Sequence, residues 1–254
     1  MNPADIPLNR LYSDLAWLWP VMSPPEEYAE EAAHWKNTLR ELLGPGRHEI
    51  LELGVGGGHN LSHLTSDFNA TAVDLSEPML ANSKKLNPTV THIAGDMRSV
   101  RLGKKFRAVL IHDAISHITS EDDLLATVKT AAAHLESGGV FITTPDNIRD
   151  TFKSPRVESV MCSGREFHLT YCEYTHDPDP DDTTIETIFT YLIEKEGRLQ
   201  IEHDRMITGL FPLATWKRLI EGAGFAFETR SFTLSSLDTP YTLLVGRLRT
   251  IRPS

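Results

Sequence analysis

Cysteine is nearly absent: Cys162 and Cys172 are the only two in 254 residues. That is too few for a disulfide framework. The two could face each other across a hairpin, but a pair of reduced thiols is the simpler reading. No stretch of about twenty apolar residues is present that could span a membrane. The start, Met1-Asn2-Pro3-Ala4-Asp5, has neither the basic region nor the apolar core of a signal peptide. A cytoplasmic location is therefore expected. Basic residues are also in the minority, 25 against 35 acidic, for a formal net charge of −10, and no run of them exists. A nucleic-acid partner, whose phosphates need a basic track, is disfavoured, and a membrane partner is not expected. With 40% hydrophobic residues the chain can fill the core of one large domain, or of a domain with an elaboration.

The most informative segment is Glu52-Leu53-Gly54-Val55-Gly56-Gly57-Gly58. Apolar Ile50-Leu51 precede it, and the helical pattern Asn60-Leu61-Ser62-His63-Leu64 follows. A strand running through a glycine turn into a helix brings backbone N–H groups close to a ligand. A dinucleotide fingerprint needs Gly-x-Gly-x-x-Gly, and His59 occupies its last position. The frame that fits is acidic-x-Gly-x-Gly-x-Gly, beginning at Glu52. Thr71-Ala72-Val73-Asp74 then reads as a second strand ending in an acid that can accept two hydrogen bonds from a ribose diol. Thr91-His92-Ile93-Ala94-Gly95-Asp96-Met97 places another acid after a third strand. No lysine or arginine lies beside the glycine loop, which suits a ligand without phosphates.

With these three elements in this order, the chain resembles the class I S-adenosylmethionine (SAM) methyltransferases. The resemblance implies SAM as cofactor and S-adenosylhomocysteine as product. Glu52, Gly54, Val55, Gly56 and Gly58 would form the loop around it. Asp74 would hold the ribose, and Asp96 would accept from the adenine amino group. The Met97 backbone would meet the ring nitrogen. Leu75 and Met79 would sandwich the adenine, and His112 would flank the methionyl portion through its backbone. The expected fold is α/β: a Rossmann-like, mainly parallel seven-stranded sheet with helices on both faces, an N-terminal helical lid and an antiparallel insertion.

The alternation along the chain agrees with an α/β class. Strands are expected at 49–53, 70–74, 91–94, 106–112 and 139–144, and helices at 60–65, 78–86 and 121–134. Glu136-Ser137-Gly138-Gly139 reads as a turn before the fifth strand. Segments 167–174, 183–194 and 199–206 read as short strands with tight turns between them. A helix over 213–222 and strands over 225–232 and 241–247 close the chain. The organisation expected is a lid over 1–45, a cofactor-binding core over 46–148, an insertion over 149–206 for substrate or dimer contacts, and a closing unit over 207–254. Ser23 is a candidate cap for a helix opening at Pro24-Pro25, and Gly44-Pro45-Gly46 ends it. The outer strand of the insertion would need covering, which a second copy could supply.

Methyl transfer from a sulfonium is an in-line displacement, so the protein mainly aligns the acceptor and excludes water. It requires no metal, and none is expected. The place to search is the end of the fourth strand, Ile111-His112-Asp113-Ala114-Ile115-Ser116-His117. Here, and in Gly209-Leu210-Phe211-Pro212 with Trp216 and Leu219, the chain resembles small-molecule amine methyltransferases that act on sugar nucleotides. That resemblance implies His117 beside the acceptor amine, as base or as hydrogen-bond partner. It also implies Tyr12 aimed at the reacting centre, with Tyr28, a second lid tyrosine, among the cofactor-binding residues. The alternatives are a His117 that caps the helix near Ser120 and a Tyr12 that anchors the lid as a core aromatic. The expected activity is methylation of a small-molecule amine, an aminosugar nucleotide being the most concrete acceptor. The competing readings are O-methylation, with Arg149, Lys153, Arg156 and Arg165 clamping a carboxylate, and a SAM-binding subunit without catalysis.

Overall fold

The structure is a computed structural model that describes residues 3–235 and 240–250. After the 3₁₀ turns Pro3–Asp5, Arg10–Tyr12 and Ala16–Leu18 comes a four-residue helix, α1 (Trp19–Met22). A further 3₁₀ turn, Pro25–Tyr28, leads into α2 (Ala29–Leu43). The N-terminal lid is thus a series of 3₁₀ turns and one short helix, with a long helix only at its far end. Pro20, Pro24 and Pro25 withhold the N–H groups that a continuous helix would need. Ser23 does not cap; its hydroxyl bonds that of Tyr28 at 2.7 Å. Gly44, at φ +79°, ends α2 as expected.

The core then runs β1 (Glu49–Leu53), α3 (His59–Ser62), β2 (Asn69–Asp74), α4 (Glu77–Leu86), β3 (Thr91–Ala94) and β4 (Phe106–Ile111). It continues through α5 (Glu121–His134) and β5 (Leu135–Thr143). Ser76 and Ser120 cap α4 and α5, accepting from the N–H groups of Met79 and Asp123. The glycine pair before the fifth strand is drawn into β5 as an irregularity, where the register with β4 shifts between Phe106 and Ala108.

The insertion is a separate four-stranded antiparallel sheet: β6 (Arg156–Ser163), β7 (Phe167–His176), β8 (Thr184–Lys195) and β9 (Arg198–Gly209). Three of these strands were expected; β6 was not. It is an edge strand exposed along almost its whole length, so burial imposes no alternation on its sequence. Register pairs Cys172 with Ser159 and Cys162 with Leu169, so the two cysteines do not oppose each other, and both are free. The chain closes with α6 (Leu213–Gly222), β10 (Phe225–Phe232) and β11 (Tyr241–Leu248).

The main sheet has seven strands in the order β10-β11-β5-β4-β1-β2-β3, with β11 antiparallel to β5. Apolar residues of α5 and α6 pack on one face with Phe106, Phe141 and Phe225. Trp35 and Leu39 of α2, with Leu80 of α4, cover the other. A third cluster joins Leu11, Leu15, Leu18 and Met22 of the lid to Leu169, Phe189, Tyr191 and Ile193 of the insertion. Lid and insertion thus close together over the carboxyl ends of the parallel strands, where ligands bind in sheets of this kind.

Candidate active site

The end of β1 leads into a loop whose glycines cannot be replaced freely. Gly54 has φ +72°, and a Cβ there would lie 2.5 Å from the Ala114 side chain. Gly58, at φ +76°, would drive a Cβ into the Ser83 hydroxyl. Backbone and neighbouring element therefore meet as closely as only glycine permits. The loop is pinned to β2: the N–H groups of Gly54 and Val55 donate to the Val73 carbonyl. Asp74 accepts from the N–H groups of Gly56 and Ser76, both at 2.7 Å. Burial raises the Asp74 carboxyl above its usual range, although these N–H bonds oppose the shift.

The loop opens on a cavity of about 610 Å³. The residues expected to bind the cofactor or to catalyse all line it: Tyr12, Tyr28, Glu52, the loop with its glycines and Val55, Asp74, Leu75, Met79, Asp96, Met97, His112 and His117. Leu75 is 70% exposed, leaving an apolar face open to the cavity, whereas Met79 is buried with its methyl beneath Gly56. Asp96 is already gripped by Arg98, whose Nη2 lies 2.6 Å away, and this pair holds its carboxyl below the usual range. Arg98 also reaches Asp123 at 3.0 Å.

Glu52 is the misfit of the wall. Only 2% exposed, it leaves Oε2 without a hydrogen-bond partner, and burial pushes its carboxyl up to about 8. Both amide atoms of buried Asn60 and Nδ1 of His59 are also unpartnered. Buried polar atoms left unsatisfied beside a cavity fit a ligand that supplies their partners. SAM would offer such partners through its ammonium, carboxylate and ribose diol. The sequence reading missed His59 and Asn60 as wall residues. Their signal was position alone, immediately after the last glycine.

At the other end of the cavity the His117 ring meets Tyr12 edge-on, with centroids 4.8 Å apart. The Ser76 hydroxyl donates to the Tyr12 carbonyl at 2.5 Å, tying this turn of the lid to the loop after β2. His117 does not cap α5, since Ser120 does. Burial pushes its imidazole below the usual histidine value, outweighing the pull of Asp113 and Asp74. The Tyr12 hydroxyl is raised far above its usual range, by burial first and by Asp113 next. Tyr12 therefore stays protonated, and burial favours the neutral form of His117.

His112, expected to contribute its backbone, also brings a charged side chain. Burial alone would lower its pKa, but Asp113, 3.1 Å from Nδ1, and Glu31, which contacts Nε2, together raise it well above the usual value. Glu31 also accepts from the Tyr241 hydroxyl, to which the Trp35 indole donates at 2.8 Å. An ion pair thus fastens helix α2 to the end of β4.

A second, larger cavity of about 1500 Å³ lies between the lid, the loop after β5 and the insertion. Of the basic clamp imagined for a carboxylate, Lys153 and Arg156 reach this wall. Arg149 is spent on the carbonyls of Pro180 and Asp182, and Arg165 is not in the wall. Among the described residues, no three His, Cys, Asp or Glu side chains are grouped to hold a metal.

Comparison with known proteins agrees with this geometry. Residues 50–139 match the methyltransferase domain family. Over 208 residues the chain is 32% identical to dTDP-3-amino-3,4,6-trideoxy-alpha-D-glucopyranose N,N-dimethyltransferase of Streptomyces venezuelae, covering 80% of this chain and 85% of that one. This chain belongs to the class I SAM-dependent methyltransferases. In fold, the methyltransferase matches the crystal structure of Streptomyces venezuelae DesVI with a TM-score of 0.79 at 24% identity, over 98% of this chain and 99% of that one. It also matches SAM-bound CalS10, an amino pentose methyltransferase from Micromonospora echinaspora, with a TM-score of 0.73 at 21% identity over 87% and 91% of the two chains. The cofactor of this methyltransferase is SAM.

Proposed function

We propose that the enzyme methylates the amine nitrogen of a small molecule, with an aminosugar as the acceptor class to which its relatives' names point. The observation that carries this reading is the neutral His117 facing Tyr12 in the wall of the cavity that holds the glycine loop. When bound, SAM supplies an activated methyl group at a sulfonium. The loop, Asp74, Asp96 and Glu52 bind and orient it. An amine must present an unprotonated lone pair, and the neutral imidazole of His117 takes the proton that the amine must lose. Tyr12 aligns the reacting groups through its hydroxyl, and the lid excludes water by packing against the insertion.

His117→Ala is expected to lower kcat by about a hundredfold or more, within the usual range for loss of a general base. Its affinity for S-adenosylhomocysteine should change little. Equal loss of both, together with reduced stability, would make His117 a structural residue and remove this reading.

A further inference from the structure

The larger cavity carries a charge that suits some amines and not others. It meets the glycine-loop cavity at Tyr28, His112 and Asp113, which wall both. A molecule held in it therefore reaches the Tyr12–His117 pair past Asp113, the first residue of the turn that ends in His117. Phe152, Phe189 and Met206 give the cavity apolar surface for a carbon ring.

Carboxylates come to this wall from separate parts of the chain. Glu26 and Glu27 belong to the lid, Asp113 and Asp146 to the loops after β4 and β5, and Glu173 to the insertion. The cations in the same wall are His112, Lys153 and Arg156; Arg156 is paired with Glu158 at 3.2 Å and partly offsets the charge of Asp146 and Glu173. Burial and the neighbouring Asp113 push the Asp146 carboxyl up to about 7. Burial and Glu158 do the same to Glu173. Acids in this state gain when a cation arrives to share their field. A diphosphate would meet the same field with the opposite sign, since the wall's cations are outnumbered by its acids and His112 is already held by Glu31 and Asp113.

We infer that the larger cavity is the acceptor site and that it selects an amine bearing at least one further positive charge over an aminosugar linked to a nucleotide diphosphate. In this arrangement Asp113 accepts an N–H of the reacting amine and turns its lone pair toward the methyl donor. Asp146 and Glu173 hold the second cation deeper in the cavity. The inference rests on the N-methylation reading above and adds the charge class of the acceptor.

The test compares initial rates of the full chain with SAM and two acceptors: kanamycin, a multi-amine aminosugar, and a dTDP-linked 3-amino sugar. At low salt kcat/KM should favour kanamycin by about tenfold or more, as opposite charges on one wall and one ligand would give. The advantage should shrink as ionic strength rises. Asp146→Asn and Glu173→Gln should raise KM for kanamycin more than they lower kcat, and leave S-adenosylhomocysteine binding unaltered in a calorimetric titration. An equal or reversed preference would overturn the charge inference and leave amine methylation standing. A folded protein that binds S-adenosylhomocysteine yet methylates neither acceptor would remove both.

Discussion

Single residues carry the cofactor site through groups that lack a partner or share one. Asp74 tethers the glycine loop and faces the cavity at once, so Asp74→Ala loses a ligand contact and loosens the loop. Its affinity for S-adenosylhomocysteine should fall by about 2 kcal/mol, roughly thirtyfold in Kd by calorimetry. Glu52 makes a more specific prediction. With its carboxyl raised to about 8, it is mostly protonated at neutral pH in the free enzyme. An ammonium bound nearby favours the carboxylate, so binding should release a proton, on the order of one per site. Titrations in buffers of different ionisation enthalpy measure that release, and Glu52→Gln should abolish it.

His117 gives the pH dependence. Burial disfavours its charged form, so the base stays competent until the pH falls below the ordinary histidine value. The acid limb of kcat should lie there in the wild type and disappear from the residual rate of His117→Ala. These residues were legible in the sequence because each belongs to a short motif: an acid before glycines, or an acid or histidine at a strand end. His59 and Asn60 were not, since a histidine and an asparagine at a helix start usually serve the backbone.

Among elements, the lid and the insertion depend on each other. Leu8 pairs with Arg205 of β9, and buried Asp204 accepts from the backbone N–H groups of Arg10 and Leu11 at 2.9 and 2.8 Å. One carboxylate of the insertion therefore fixes the turn that carries Tyr12. Asp204→Ala leaves those donors unsatisfied and should cost about 2–4 kcal/mol in urea unfolding. It should also lower turnover, because Tyr12 loses its anchor. An unchanged midpoint would show that the lid holds without it.

The parallel strands and their helices could be located from sequence because burial on both faces writes continuous apolar runs, as in Phe106–Ile111. Edge strand β6 could not, for it is exposed and carries Glu158 and Ser159 amid its valines. The lid's 3₁₀ turns were equally hidden. Its apolar spacing follows the insertion beneath rather than a helical period.

At the scale of the whole molecule, the α/β rhythm announced the sheet, and the glycine loop announced which end binds. The acceptor cavity had no such signature. Its walls come from the lid and, more than a hundred residues further on, from the loop after β5 and the insertion, which meet the lid only in the fold. Carboxylates such as Glu26, Asp146 and Glu173 read singly as solvated surface. Assembled, they face one space. His112 and Asp113 wall both cavities, so in the proposed arrangement the end of β4 would stand between methyl donor and acceptor. The measurement that tests this most directly is carbon-13 NMR of the product after turnover with SAM labelled at its methyl carbon, using kanamycin and the dTDP-linked 3-amino sugar as acceptors. The label is expected on an amine nitrogen, with S-adenosylhomocysteine formed in equal amount. Label on an oxygen, or label left on SAM while the folded enzyme binds S-adenosylhomocysteine, would contradict amine methylation.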